Sequence, residues 1–174
     1  MNWDKYFFDL CETVASKSPC LSRKIGALLV RNNRIVATGY NGPPVGIPHC
    51  GQERLEEDEN LKLLLGNEFN DLPQYTCPRQ VLGYKSGEAL DLCVAQHAEE
   101  NCITTAAMLG VSTNGCTLYL NTVFPCQRCF GKIINAGIKE VVCKDVMKTC
   151  VVFYDDSARW MYKFSNVSAR LFDL

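Results

Sequence analysis

The stretch 97-HAEENCITTAAMLGVSTNGCTLYLNTVFPCQRCFGKIINAGIKEVVC-143 decides the fold class. It reads as a helix over 97–109 ended by Gly110, a strand over 116–120, a helix over 126–136 ended by Gly137, and a strand over 138–143. This is α/β alternation. Upstream, Trp3, Phe7, Leu10 and Val14 recur at helical spacing behind a capping Asn2, so 3–15 is expected to be an amphipathic helix with a core stripe. Residues 24–30 and 34–39 are apolar, β-branched runs joined by Arg31, Asn32 and Asn33, the pattern of an antiparallel hairpin. Downstream, 151–154 reads as a short strand, 157–164 as a helix, and 165–174 as strand or tail.

At 174 residues the chain has the length of one domain. Its 47% hydrophobic and 21% charged residues, with 12 Gly and 7 Pro, exclude disordered and fibrous classes. No run approaches the roughly 18 apolar residues of a membrane span. Asp4, Asp9 and Glu12 near the start are unlike a secretory leader, so a cytoplasmic location is expected. With 18 Lys and Arg against 19 Asp and Glu, the net charge of −1 offers no global attraction for nucleic acid and favours a small-molecule partner.

Eleven cysteines without an export signal point to metal binding or catalysis rather than a disulfide framework. Cys11, Cys102, Cys116, Cys143 and Cys150 stand in apolar runs and read as small buried hydrophobes. Residues 40–95 are weakly patterned. Gly42, Pro43, Pro44, Gly46 and Pro48 open the segment, and the acidic patch of Glu53, Glu56, Glu57, Asp58 and Glu59 lies in a candidate helix with a solvated face. So long a segment in a compact domain is functional or held by something other than a hydrophobic core, a role a metal could fill.

His97-Ala98-Glu99 opens one helix of the deciding stretch and Pro125-Cys126-Gln127-Arg128-Cys129 opens the other. Cys126 and Cys129 share a helical face, and a helix N-terminus lowers thiol pKa, which helps supply thiolates for a metal. With His97 they make three protein ligands, the number that leaves a zinc ion one position for water. Glu99, two residues from His97, has the placement a proton shuttle requires. Alone, C-x-x-C could be a redox pair and the histidine a packing or capping residue. Together they match H-x-E…P-C-x-x-C, the signature of zinc deaminases that act on nucleobases, with attack at C4 of cytosine as the chemistry. A non-enzymatic zinc module is the rival from a different class.

Over about residues 3–143 the chain resembles the deoxycytidylate (dCMP) deaminase family of the cytidine deaminase superfamily. Besides the zinc motif, the resemblance lies in Ser18-Pro19-Cys20, Arg23-Lys24-Ile25-Gly26-Ala27, Gly39-Tyr40-Asn41-Gly42-Pro43-Pro44-Val45-Gly46 followed by His49-Cys50, Ser86-Gly87-Glu88 and Asn135-Ala136-Gly137-Ile138-Lys139. Deaminases of the free nucleoside usually carry Cys at the place of His97, and tRNA adenosine deaminases lack the insert bearing Cys50, Cys77 and Cys93.

The resemblance implies a three-layer α/β/α sandwich with a mixed central sheet of about five strands. It implies one zinc-dependent domain over 1–174 with an insert at about 50–95. It also implies hydrolysis of dCMP to dUMP and ammonia, in supply of dTMP precursors, with Glu99 moving the protons. Another cytosine nucleotide (dCTP or a 5-substituted dCMP) and tRNA adenosine are the alternative substrates. By the same carry-over, Asn41 would meet the sugar hydroxyl and the backbone at Ala98 the base carbonyl. Gly42 and Gly46 would approach phosphate of the substrate or of dCTP and dTTP effectors, with Mg2+ as an effector's companion. The plain alternative for this glycine-rich segment is a tight turn with a left-handed Asn. Cys20, Cys50, Cys77 and Cys93 resemble a second, structural zinc site, with His49 as an alternative ligand to Cys20. A homo-oligomer, often a hexamer, is implied as well, and Ile133 and Ile134 serve that contact or the core. Arg23, Lys24 and Arg79 are the candidate phosphate cations. Cys143 and Phe124 depart from the family pattern near the expected base pocket, with Tyr154 or Tyr162 as replacement rings.

Overall fold

Asn2 accepts hydrogen bonds from the amides of Asp4 and Lys5, which caps helix α1, Trp3–Ala15, as its sequence predicts. The structure, a computed structural model, describes residues 2–66, 77–85, 87–144, 153 and 155–174. These fall into two compact units. One comprises the described residues of Met1–Ser18, Ile25–Asn41 and His97–Leu174, the other Pro19–Lys24 and Gly42–Gln96.

The first unit holds a five-stranded sheet. Strands β1, Gly26–Arg31, and β2, Arg34–Tyr40, form the expected antiparallel hairpin. Asn32 and Asn33 both take positive φ at its turn, a conformation asparagine tolerates better than most residues. Helix α5, Ala98–Met108, leads to β3, Thr117–Leu120; α6, Gln127–Asn135, leads to β4, Glu140–Cys143; α7, Asp156–Phe164, leads to β5, Ser168–Leu171. The strand order is β2-β1-β3-β4-β5, with β1 antiparallel to β2 and β3 and the β3-β4-β5 run parallel.

Period-two alternation divides each strand between two faces. Leu28, Val30, Tyr119 and Val142 pack with Phe7 and Cys11 of α1. Ala27, Leu29, Leu118, Leu120 and Val141 pack on the other face with residues of α5, α6 and α7, among them Ala98, Cys102, Phe130, Ile133 and Ala158. The expected α/β/α layering with a mixed sheet is thereby present. Gly39 lets α5 lie directly on β2, because a Cβ there would overlap the Cys102 amide nitrogen and the Ala98 carbonyl. The tail that reads as strand or coil is strand β5. Its Ser-Ala-Arg-Leu sequence has weak alternation, and its edge is held instead by Arg170, which pairs with Asp4 and Glu140. The strand expected over 151–154 lies outside the described residues except for Phe153, which bridges to Phe124.

The second unit contains α2, Gln52–Glu57, α3, Glu59–Leu65, α4, Pro78–Val81, and a 3-10 turn at Leu90–Leu92. The acidic patch is thus two helices, broken at Asp58, whose carboxylate caps α3 at the Leu61 amide, 2.9 Å away, and also takes Arg54. Glu53, Glu56, Glu57 and Glu59 are exposed. A small cluster of Leu55, Leu61 and Leu65, backed by Val81 and Leu82, gives this segment an apolar core of its own. Among the described residues no helix is long and apolar enough to cross a membrane.

Candidate metal centre

Helices α5 and α6 each begin at a donor residue. His97 is the N-cap of α5 and Cys126 the N-cap of α6, both in extended conformation, and Cys129 follows in the first turns of α6. His97 Nδ1 lies 3.6 Å from Cys126 Sγ and 3.3 Å from Cys129 Sγ. The three donor atoms fall within 4.8 Å of one another, and among the described residues they are the only such set of three or more His, Cys, Asp and Glu donors. Zinc–sulfur bonds of about 2.3 Å and zinc–nitrogen bonds of about 2.0 Å at a tetrahedral angle require a sulfur–nitrogen separation of about 3.5 Å. One imidazole and two sulfurs at this spacing fit zinc with a coordination position to spare.

The sulfurs divide their protons unequally. A hydrogen bond from Cys129, aided by His97 and opposed by burial, pulls the Cys126 thiol down to about 4. The same bond, with burial, pushes Cys129 up. His97 is raised, first by its hydrogen bond with Cys126, with burial opposing and the Glu99 charge assisting. Glu99 is 4% exposed, and burial raises its pKa against the opposing pull of His97. A carboxyl kept from water in this way holds its proton to higher pH than a surface glutamate does, which suits a group that must both take and give one.

Sequence reasoning missed three residues around this set. Glu100 Oε2 accepts from the His97 amide at 3.1 Å, while its Oε1 pairs with Lys132 of α6. The signal was present as a glutamate at the third helical position, the place of a capping-box acid. Asp155 accepts from the Gln127 amide at 3.0 Å and so caps α6 as well as its own helix α7. Nothing local to residues 125–129 announces that contact.

The remaining expected residues are distributed more widely. Ala98 is fully buried beneath β2. Asn41 is buried with its Oδ1 2.8 Å from both the Ser18 hydroxyl and the Ile25 amide, and its φ is not positive, which removes the left-handed turn reading. Gly42 and Gly46 belong to the second unit, Gly42 paired with Gln96 and Gly46 exposed at φ 83°. So do Arg23, Lys24 and Arg79, the last donating to the Lys85 carbonyl. Cys20, Cys50, Cys77 and Cys93 all lie in that unit too. Cys50 is within electrostatic reach of Cys77 and Cys93, and Arg54 donates to its sulfur, but these sulfurs, with or without His49, do not close into a donor set.

Phe124 packs in a cluster of rings, with centroids 4.8 Å from Phe130, 4.7 Å from Phe153 and 5.6 Å from Tyr162, so its bulk and the Tyr162 ring are both spent on the core. Tyr154 lies outside the described residues. Cys11, Cys102, Cys116 and Cys143 are buried as expected, and Ile133 is core, with Ile134 packed against it. Cys150 lies outside the described residues.

The family profile described as "Cytidine and deoxycytidylate deaminase zinc-binding region" matches residues 1–145. The chain is 37% identical over 141 residues to the deoxycytidylate deaminase of Schizosaccharomyces pombe, covering 81% of this chain and 36% of that protein. It is 32% identical over 148 residues to the deoxycytidylate deaminase of Mycobacterium phage D29, covering 81% of this chain and 93% of that protein. The chain therefore spans about a third of the length of the Schizosaccharomyces relative and nearly all of the phage one. Among solved structures it is similar to the dCMP deaminase of cyanophage S-TIM5, crystallised with dCMP and dUMP, with a TM-score of 0.63, 21% identity, and coverage of 96% of this chain and 94% of that one.

Proposed function

Because this chain belongs to the cytidine and deoxycytidylate deaminase family, we propose that it hydrolyses dCMP to dUMP and ammonia. The observation that carries this reading is the His97–Cys126–Cys129 donor set at tetrahedral spacing with the buried Glu99 carboxyl beside it. Its support from relatives is the deoxycytidylate deaminase of phage D29, almost all of whose length this chain covers.

When bound, zinc supplies a Lewis acid that makes water nucleophilic near neutral pH. The chain supplies the rest. His97, Cys126 and Cys129 hold the ion, and the Glu99 carboxylate takes a proton from the attacking water and delivers it to N3 of cytosine. A C4–O bond forms, and the C4–N bond then breaks as Glu99 carries the remaining hydroxyl proton to the departing amine, so that dUMP and ammonia leave. The backbone at Ala98 meets the base carbonyl. By the family resemblance Asn41, whose side-chain oxygen accepts from Ser18 and Ile25, would meet the sugar hydroxyl.

The finer regulatory expectations rest on the family resemblance. They are dCTP with Mg2+, and dTTP, as effectors near Gly42 and Gly46, and assembly as a homo-oligomer. Ammonia release from dCMP, deoxycytidine, dCTP, 5-methyl-dCMP and tRNA, with and without dCTP, Mg2+ and dTTP, tests the substrate and the effectors together. Turnover of dCMP well above the others supports the proposal. Preference for tRNA or for none of them refutes it. Metal content of the purified chain is expected at one zinc per protomer, and a second equivalent would assign an ion to the cysteines of the second unit.

A further inference from the structure

We infer that the Glu100–Lys132 pair is a positioning device that sets the distance between the two helices bearing the metal ligands, an inference that rests on the zinc reading of His97, Cys126 and Cys129. Glu100 stands three residues after His97 and Lys132 three after Cys129, so each lies one helical turn behind a ligand. One carboxylate spans the gap. Its Oε2 holds the His97 amide at 3.1 Å, and its Oε1 holds the Lys132 ammonium.

The pairs Lys5–Asp9, Arg54–Asp58 and Lys62–Glu59 join neighbours three or four residues apart and cannot fix one element against another. Glu100–Lys132 joins α5 to α6 across a sequence separation of 32 residues. The Glu100 side chain is only 14% exposed, which limits the solvent screening that makes surface pairs weak, although Lys132 is 53% exposed. A carboxylate in the first turn of α5 is also favoured by the positive end of that helix. Loss of the Lys132 contact leaves the apolar packing behind the ligands intact but frees the helix starts, where a few tenths of an ångström decide whether three donors fit one ion.

The test uses the full zinc-loaded chain and reads zinc transfer to a chelating dye, with apo-protein melting and steady-state kinetics in parallel. Lys132→Met and Glu100→Gln are expected to release zinc on the order of tenfold faster than wild type, the scale on which groups supporting metal ligands act. The double variant is expected to release it no faster than the worse single variant, and Lys132→Arg to stay close to wild type. Deamination is expected to lose kcat with KM for dCMP little changed. Because the pair is partly open to solvent, rising salt should hasten release from wild type and leave Lys132→Met unaffected. If Lys132→Met melts lower yet releases zinc at the wild-type rate, the pair is merely structural and the inference is overturned. If the variants fail to fold, a wild-type release rate that ignores salt overturns it instead, and one that rises with salt supports it. A wild-type chain that holds no zinc overturns this inference and the zinc reading together, whereas zinc held equally by all variants overturns this inference alone.

Discussion

Gly39→Ala puts a methyl group where β2 and α5 leave no room for one. The obstruction is main chain, the Cys102 amide nitrogen and the Ala98 carbonyl, so no side chain can swing aside and the helix itself must move off the sheet. Overpacking of this kind costs about 1–3 kcal/mol, and backbone on the receiving side argues for the upper end. For a chain of this length each kcal/mol lowers the melting temperature by roughly 2–4 °C, so a fall of about 6–12 °C is expected. The displaced helix carries His97 at its cap and Glu99 in its first turn, so zinc affinity and deamination should fall further than the loss of stability alone would produce. Thermal unfolding of zinc-loaded and metal-free protein, with metal content measured on the same samples, separates the two effects. Gly46→Ala is the control. It has open space around it but a φ of 83°, so it should cost backbone strain without loss of zinc. Equal melting of Gly39→Ala and wild type would refute the close approach of α5 to β2.

Glu99→Gln should keep zinc and the fold while deamination drops by about 10²–10⁴-fold, because the amide cannot relay protons; retention of activity would remove Glu99 from the mechanism. The Asp4 carboxyl sits below its ordinary 3.8. Burial, its largest single influence, works upward, but the Arg170 hydrogen bonds, the Asp173 amide and the Arg170 charge together outweigh it. A carboxyl depressed on folding adds stability that is fully present above its unfolded pKa and lost as pH falls through the folded one. The melting gap between wild type and Asp4→Asn should therefore be constant near neutrality and close below about pH 4. A gap that persists unchanged into stronger acid would contradict the pairing.

Most of the first unit was legible because its signals are local. Capping Asn2, the Asn32-Asn33 turn and the apolar periods of α1, α5 and α6 each fix their own element, and the His97, Cys126 and Cys129 spacings fix the donor set. What stayed hidden depends on contacts between distant residues. Strand β5 is held by Arg170 reaching Asp4 across 166 positions, which no window around Ser168–Leu171 contains. The packing of Phe124 was hidden for the same reason. A bulky residue before Pro125 stands out as a departure from the family pattern, and only the fold brings Phe130, Phe153 and Tyr162 around it. In the second unit the three leucines of the small core are spaced over two helices broken at Asp58, so neither helix shows a full apolar stripe.

The two-residue step from His97 to Glu99 carries the functional consequence of the fold. At the N-cap the chain is still extended, and His97 is held there by its amide against Glu100, 32 residues before Cys129, the second cysteine of the set. Two steps later the helix has turned, and Glu99 is carried under the sheet-facing layer, where burial raises its pKa. At the start of the facing helix the hydrogen bond from Cys129, with His97, lowers the Cys126 thiol, while burial raises the Glu99 carboxyl. One helix entry thus places a metal donor at its cap and, two residues on, a buried carboxyl that holds its proton to higher pH, the two groups the proposed hydrolysis requires side by side.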